Sequence, residues 1–385
     1  MRKTKVVVLF GSRSVEHEVS VVTAMQVFEN IDKGKYEVVA LYADKQGRMW
    51  SGEKLKQLTS YKNLELKTGH GLIEYYFSQK IGDKKLIPVG GLIKKPVDFD
   101  IVLMAVHGTF GEDGTIQGVL ETLDIPYTGS GVTASAIGMD KVMQKAVFEK
   151  EGVPVVKYIW FNRSEWEVDE KRWISEVETK LGYPVFVKPA NLGSSVGINK
   201  VKNRKDLKWA VAVAKEFDRK IIVEEGLENI DEINVSVMGV EDFEVSVCEM
   251  PVRDSELLTY EDKYLKGGKI KGMASLSRLV PAPISTKLTK EIQDLAVRAF
   301  RAAGASGLAR VDFMVNQKTG KKYITEINTL PGSLAFYLWE KSGYPFARML
   351  DRLVKLGFER YELRKKINFS YDSKLLETQA KGSKR

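Results

Sequence analysis

Short apolar runs recur along this chain, each closed by a polar or glycine-rich turn, and apolar positions at helical spacing follow. Residues 6–10 (Val-Val-Val-Leu-Phe) lead into Gly11-Ser12-Arg13-Ser14, after which Val21, Met25 and Phe28 keep a helical rhythm. A continuous apolar run of this length predicts a buried strand, and the spacing after it a helix. Further strands are expected at 38–42 and at 101–106. The latter ends in His107-Gly108-Thr109-Phe110-Gly111-Glu112-Asp113-Gly114, which opens a helix over 115–123. This opening predicts a doubly wound α/β unit, whose ligands sit beyond the carboxyl ends of the strands. Residues 45–97 are polar and irregular and read as an insertion of hairpins and loops.

Beyond residue 130 the pattern changes. A helix carrying Asp140-Lys141 precedes a strand at 184–188, a loop at 190–197 and a strand at 221–225. Between them Leu207, Ala210, Val211, Ala214 and Phe217 predict one buried helix face. Strands are expected at 232–238 and 244–249, then a loop over 251–283, long enough to suggest a functional segment. A helix burying Leu288, Ile292, Leu295 and Ala299 comes next, then two strands at 308–315 and 322–328, and a helix from 344 to about 361. The fold class is therefore α/β, passing to α+β in the C-terminal half. Three domains are expected at 1–129, 130–224 and 225–367, with a basic tail over 368–385.

The last strand pair holds the densest chemistry. Residues two apart in a strand share a face. Arg310 and Asp312 therefore share a face of their strand, and so do Glu326 and Asn328 of theirs. If the strands pair, three oxygen-bearing side chains and a guanidinium converge. Such hard donors suit Mg²⁺, which takes one or two carboxylates and leaves its other positions to phosphates and water. The plain alternative is a hairpin with a salt bridge on its face. Gly193-Ser194-Ser195-Val196-Gly197, after Lys188, looks like a phosphate-binding flap, and Lys141 is a second candidate phosphate ligand. Residues 221–227 look like a hinge where an adenine meets the backbone of Glu225 to Leu227 and the Glu224 side chain, with Glu232 reaching the ribose. Neither G-x-x-x-x-G-K-[ST] nor G-x-G-x-x-G occurs, which argues against a Walker-type site and a dehydrogenase.

Composition narrows the picture a little. A single cysteine, Cys248, leaves no internal disulfide and fits a reducing compartment, so a cytoplasmic protein is the default. The apolar start is too short for a leader or a membrane span. Three histidines, far apart in sequence, speak against zinc. The net charge of +9 would suit a nucleic-acid binder, yet the basic residues are spread out, and a polyanionic small substrate accounts for them as well.

Seven stretches, in order, resemble the ATP-grasp ligases and, within them, the D-alanine–D-alanine ligases. They are Ser14 to Ser20; His107-Gly108 with Gly111 to Gly118; Ile125 to Val132; Met139-Asp140-Lys141; Val187-Lys188-Pro189 with Gly193 to Gly197; Tyr260 to Tyr264; and Arg310-Val311-Asp312 with Glu326 to Gly332. The resemblance implies a three-domain ATP-grasp architecture. It also implies ATP as co-substrate, two Mg²⁺ ions (Mn²⁺ as a possible substitute), D-alanine as substrate, a role in cell-wall precursor synthesis and a homodimer. Lys141, Lys188 and Lys263 would hold phosphates, with Ser194 and Ser195 in the flap. Glu224, Glu225, Leu227 and Glu232 would hold the nucleoside. Asp312, Glu326 and Asn328 would bind metal. Glu16, in a set with Ser194 and Tyr264, would hold the ammonium of the first D-alanine, and His107 would lie near its carboxylate. Arg310 and the Gly332 backbone would stabilise the oxyanion of a tetrahedral intermediate.

There are departures. The family usually has two glycines where this chain has Gly11-Ser12. The stretch after Gly332 is about four residues short, and the serine usual nine positions after the motif asparagine is Tyr337, flanked by Phe336 and Leu338. Tyr337 and Leu338 are then the expected wall of the second substrate's pocket. A ligase with another acceptor, or a catalytically silent nucleotide binder, are the alternatives.

Overall fold

The computed structural model describes residues 2–61, 71–90, 94–252, 278–373 and 376. Its first sheet starts with β1 (Thr4–Gly11), α1 (His17–Asn30) and β2 (Tyr36–Ala43). It continues through β3 (Met49–Ser51), β4 (Ile73–Phe77), β5 (Lys85–Pro88) and β6 (Val97–Asp98) to β7 (Ile101–Met104). The order is β6-β5-β4-β3-β2-β1-β7. Only β1, β2 and β7 are parallel to one another; the segment read as an insertion adds antiparallel strands beyond β2. Val6, Val7 and Val8 are all fully buried, so β1 is covered on both faces, which is why its sequence is apolar without alternation.

Three helices follow, α2 (Thr115–Thr122), α3 (Val132–Met139) and α4 (Lys141–Lys150). The second sheet comprises β8 (Tyr158–Asn162), then α5 (Arg163–Val168) and α6 (Glu170–Lys180), β9 (Val185–Pro189), β10 (Asn199–Val201), α7 (Arg204–Lys215) and β11 (Lys220–Glu225), with strand order β10-β9-β11-β8. Leu207, Ala210, Val211 and Ala214 are buried as expected. Phe217 is not: α7 ends at Lys215, so Phe217 leaves the helical face, stays exposed and covers Gly197 instead.

The third sheet has β12 (Ile230–Gly239) and β13 (Phe243–Val245), followed by the short ribbon β14 (Met250–Pro251) and β15 (Arg278–Leu279). Then come α8 (Thr286–Ala302), β16 (Gly307–Asn316), β17 (Lys322–Asn328), α9 (Phe336–Lys341) and α10 (Phe346–Lys365), and the sheet order is β13-β12-β16-β17. The strand expected over 244–249 stops at Val245, because the Ser246 hydroxyl takes the Ser236 N–H and interrupts the ladder until Glu249 rejoins it at Asn234.

Packing crosses the boundaries drawn from sequence. Ala134 and Phe148, from α3 and α4, share a core with Ile233, Val235, Phe300 and Phe313 of the C-terminal half. Met349, Leu350 and Leu353 of α10 are buried against Val6, Val8 and Ile101 of the first sheet. Each such side chain contributes about 1.5–3 kcal/mol by leaving water. The first sheet is thereby clamped to the third; the larger cleft lies between the second and third sheets, and a smaller cavity where the first meets them.

Candidate active site

The β16–β17 ladder sets Arg310 opposite Asn328 and Asp312 opposite Glu326, with a bulge between Asp312 and Phe313. The face-sharing argument thus places four polar side chains on one patch of sheet. Arg310 is bidentate on Asp312, Nε to Oδ1 at 2.7 Å and Nη2 to Oδ2 at 2.6 Å. Asn328 Nδ2 donates to Asp312 Oδ2 at 3.2 Å. Burial pushes the Asp312 carboxyl upward against the pull of Arg310, and Glu326 and Glu249 add to the push. The two facing, half-buried carboxylates share one arginine and, 3.5 Å from Glu326, the Lys141 ammonium. Asp312 Oδ2 accepts from both Arg310 and Asn328, whereas Oδ1 keeps a second lone pair beside its bond to Arg310. Two carboxylates and an amide carbonyl form a hard-oxygen set that fits Mg²⁺.

On the phosphate side, Asp140 caps α4 by accepting from the Val142 and Met143 amides and pairs with Lys220. The cap aims Lys141, whose Nζ donates to the Leu192 carbonyl at 2.8 Å and lies 3.5 Å from Glu326. Lys188 on β9 donates to Glu224 at 2.6 Å, and Lys145, one turn past Lys141, reaches the other Glu224 oxygen at 3.0 Å. Burial alone would raise the Glu224 carboxyl; the two lysines outweigh it and hold it at about 2. Burial in turn lowers the Lys145 ammonium. In the flap, Ser194 and Ser195 take φ of 55° and 59°, a left-handed backbone rare outside glycine and typical of strained functional turns. A cleft of about 500 Å³ is lined by Lys141, Lys188, Ser195, Glu224, Glu225, Leu227 and Glu232 together with Arg310, Asp312 and Glu326.

A second cavity of about 40 Å³ shares Arg310 and Glu326 with that cleft and adds Glu16, His107, Glu112, Ser194 and Gly332. Glu16 stands at the amino end of α1 and accepts from the Ser194 hydroxyl. Its carboxylate fits there because Gly108 and Gly193 lack side chains: a Cβ on either would stand 2.8–3.0 Å from its oxygens. His107 Nδ1 lies 2.8 Å from the Leu330 carbonyl, which can only accept, so Nδ1 carries the proton. Nε2 then accepts from Thr23 Oγ1 at 2.8 Å, and Thr23 accepts the Ser333 amide at 3.1 Å. The imidazole thus ties α1 to the turn that holds Gly332. Glu112, 3.3 Å from His107, is raised to about 7, by burial first.

Comparison with known proteins gives the same reading over most of the chain. The family model described as D-ala D-ala ligase N-terminus matches residues 5–130, and that described as D-ala D-ala ligase C-terminus matches residues 147–355.

The chain belongs to the D-alanine–D-alanine ligase family. It is 41% identical over 365 residues to the D-alanine–D-alanine ligase of Heliobacterium modesticaldum, covering 94% of this chain and 96% of that one. It is 39% identical over 375 residues to that of Bacillus cytotoxicus, covering 96% and 100%. Among solved structures, the VanG D-Ala:D-Ser ligase from Enterococcus faecalis superposes with a TM-score of 0.78 at 30% identity, over 92% of this chain and 100% of that one. The D-alanine-D-alanine ligase from Coxiella burnetii gives 0.77 at 28%, over 95% and 97%. The architecture is thus the ATP-grasp fold of these ligases, and the protein is a ligase of this family.

Against the family pattern, Ser12 adopts φ of 102°, the left-handed backbone that a glycine would take without strain. The shortened stretch after Gly332 enters α9 through Ser333, Leu334 and Ala335, all near φ 50–54°. Tyr337 and Leu338 do not reach either cavity wall. Leu338 is fully buried in an apolar cluster, and the Tyr337 hydroxyl is turned to Glu249 at 3.1 Å. Lys263 and Tyr264 lie outside the described residues. Reading the sequence also missed Lys145, Glu112, Glu249 and Arg278. A second lysine four residues after Lys141 was the one available signal, since that spacing stacks both on one helix face.

Proposed function

We propose that this protein joins two D-alanine molecules at the expense of ATP, forming D-Ala-D-Ala for cell-wall precursor with release of ADP and phosphate. The observation that carries the reading is the shared wall: the cleft with the lysines and the small pocket with Glu16 and His107 meet at Arg310 and Glu326. A carboxylate bound in the small pocket therefore stands next to the phosphate end of the cleft.

In this reading Lys141 and Lys188, with the flap of Ser194 and Ser195, hold the triphosphate, and Lys263 joins them. Glu225, Leu227 and Glu232 hold the nucleoside. Glu224 acts through the lysines it fixes as much as on the base. Asp312, Glu326 and Asn328 would hold divalent metal, two Mg²⁺ or Mn²⁺, and the bound metal offsets negative charge on the transferring phosphoryl group. Glu16, with Ser194 and Tyr264, receives the donor's ammonium, and His107 orients its carboxylate. One carboxylate oxygen attacks the γ-phosphorus, ADP leaves, and an acyl phosphate forms. The second amine attacks the acyl carbon, and Arg310 and the Gly332 amide meet the oxyanion. Phosphate then leaves with the oxygen that had attacked, the amine loses its proton, and the peptide bond remains. A cytoplasmic homodimer completes the proposal; no described helix is long and apolar enough to cross a membrane.

The test is phosphate release with Mg·ATP and D-alanine, with products identified by mass. A D-Ala-D-Ala product supports the reading, and no release with any D- or L-amino-acid pair would sink it. A second reading, another acceptor with the same donor chemistry, is favoured by one observation: Tyr337 stands where the family has a serine. A panel adding D-serine and D-lactate separates the two, since a mixed product in the absence of D-Ala-D-Ala selects the second.

A further inference from the structure

The Tyr337 hydroxyl has one proton, and it is donated to Glu249 Oε1 at 3.1 Å. Burial, then Glu249, pushes the phenol up to about 12, so it stays a neutral donor aimed at that carboxylate. It cannot also donate to a substrate carboxylate. Ser333, the nearest serine in sequence, lines neither cavity. The acceptor's carboxylate then calls for another group.

The cleft wall beside Arg310 and Asp312 holds a second arginine, Arg278. It sits on β15, whose partner β14 gives it a fixed ribbon at the base of the 251–283 stretch. Its Nη1 donates to Glu249 Oε2 at 2.7 Å, and its guanidinium carbon stands 3.7 Å from the centre of the Tyr337 ring. Glu249 is only 1% exposed and also accepts from Asn234 Nδ2 at 3.1 Å. Three donors thus occupy Glu249, which leaves it as an orienter and not a ligand for an ammonium. A guanidinium stacked on an aromatic ring and held along one edge is pre-organised for planar recognition of a carboxylate. Glu249 and Tyr337 also act on the charge of Arg310, so the cluster borders the group assigned to the oxyanion.

We propose that Arg278 binds the carboxylate of the acceptor in place of the family's serine, with Glu249 and Tyr337 as its positioning residues. The inference rests on the ligase reading above and deepens it: the acceptor is an amine that carries a carboxylate, recognised by an ion pair and not by a hydroxyl.

The experiment is steady-state kinetics of the full-length wild type and Arg278→Gln, with the donor and acceptor constants for D-alanine separated from the biphasic saturation curve. Arg278→Gln should raise the acceptor KM about 10- to 100-fold, the loss expected for a charge-assisted hydrogen-bond pair. The donor KM and the ATP KM should stay within about twofold, because Arg278 touches neither in this assignment. Since Arg278→Gln strands a buried Glu249, the double variant Arg278→Gln with Glu249→Gln removes both charges and should show the same split. In the wild type, D-alaninamide should be a far poorer acceptor than D-alanine, and this preference should collapse in the double variant. An unchanged acceptor KM, donor and acceptor constants that rise together, or a preference for D-alanine that survives in the double variant would each overturn the assignment while leaving the ligase reading intact. A wild type that releases no phosphate with D-alanine would remove both.

Discussion

Glu224 lies between Lys188 and Lys145 and is held at about 2 by them, so the phosphate lysine and the nucleoside glutamate are one unit. Lys145→Met should leave Glu224 with one cation and loosen Lys188, raising the ATP KM about tenfold while the D-alanine constants stay put. Equal changes in all constants would point to a folding defect instead. Arg310→Ala should cut turnover by about 10²–10³, as for an oxyanion donor, yet leave Mg·ATP binding in place. Calorimetric loss of nucleotide affinity on the same scale would contradict its role. Glu112 carries a pH signature. Its folded carboxyl sits at about 7 against an ordinary 4.5. The folded state therefore keeps a proton that the unfolded chain has already released, and stability falls as pH rises from about 4.5 to about 7. Glu112→Gln should flatten that loss, worth on the order of 1–3 kcal/mol, in urea unfolding at pH 5 and pH 8. A wild type and variant with parallel pH profiles would place the shift elsewhere.

At the scale of elements, the β16–β17 patch was legible because the strand period is two and the Asn316–Gly320 turn fixes the register. Arg310, Asp312, Glu326 and Asn328 could be put on one face before any coordinates. The helix start at Asp140 was legible only as a motif; its cap shows why the aspartate precedes the lysine. Asp140→Ala should cost about 1 kcal/mol of stability and raise the ATP KM through a misplaced Lys141. Ser12 tells the reverse story. Its φ of 102° is a backbone that glycine takes freely, so Ser12→Gly should raise the unfolding free energy by about 1 kcal/mol despite the lost Thr109 contact at 3.3 Å. A lower midpoint in urea would show that the hydroxyl matters more than the strain. The left-handed turn at Ser333, Leu334 and Ala335 could not be read in advance, because none of the three residues signals it.

At the scale of the whole molecule, seven motifs in family order sufficed to name the fold and the family. Packing between distant segments was not legible. That α10 closes on the first sheet, or that α3 and α4 join the C-terminal core, depends on surfaces no periodicity encodes. The same is true of Arg278 and Glu249, 29 residues apart and joined only by the β14–β15 ribbon. The substitution at Tyr337 was visible in sequence, but not that its hydroxyl would be committed to Glu249.

The central claim is that one seam, at Arg310 and Glu326, lets a bound carboxylate take the γ-phosphoryl group of ATP. D-Alanine labelled with ¹⁸O at both carboxylate oxygens tests it most directly, with the phosphate and the dipeptide from one reaction weighed by mass spectrometry. The account predicts one ¹⁸O in the released phosphate and one at the peptide carbonyl. Unlabelled phosphate released together with dipeptide would contradict it, because the carboxylate would then never have carried the phosphoryl group.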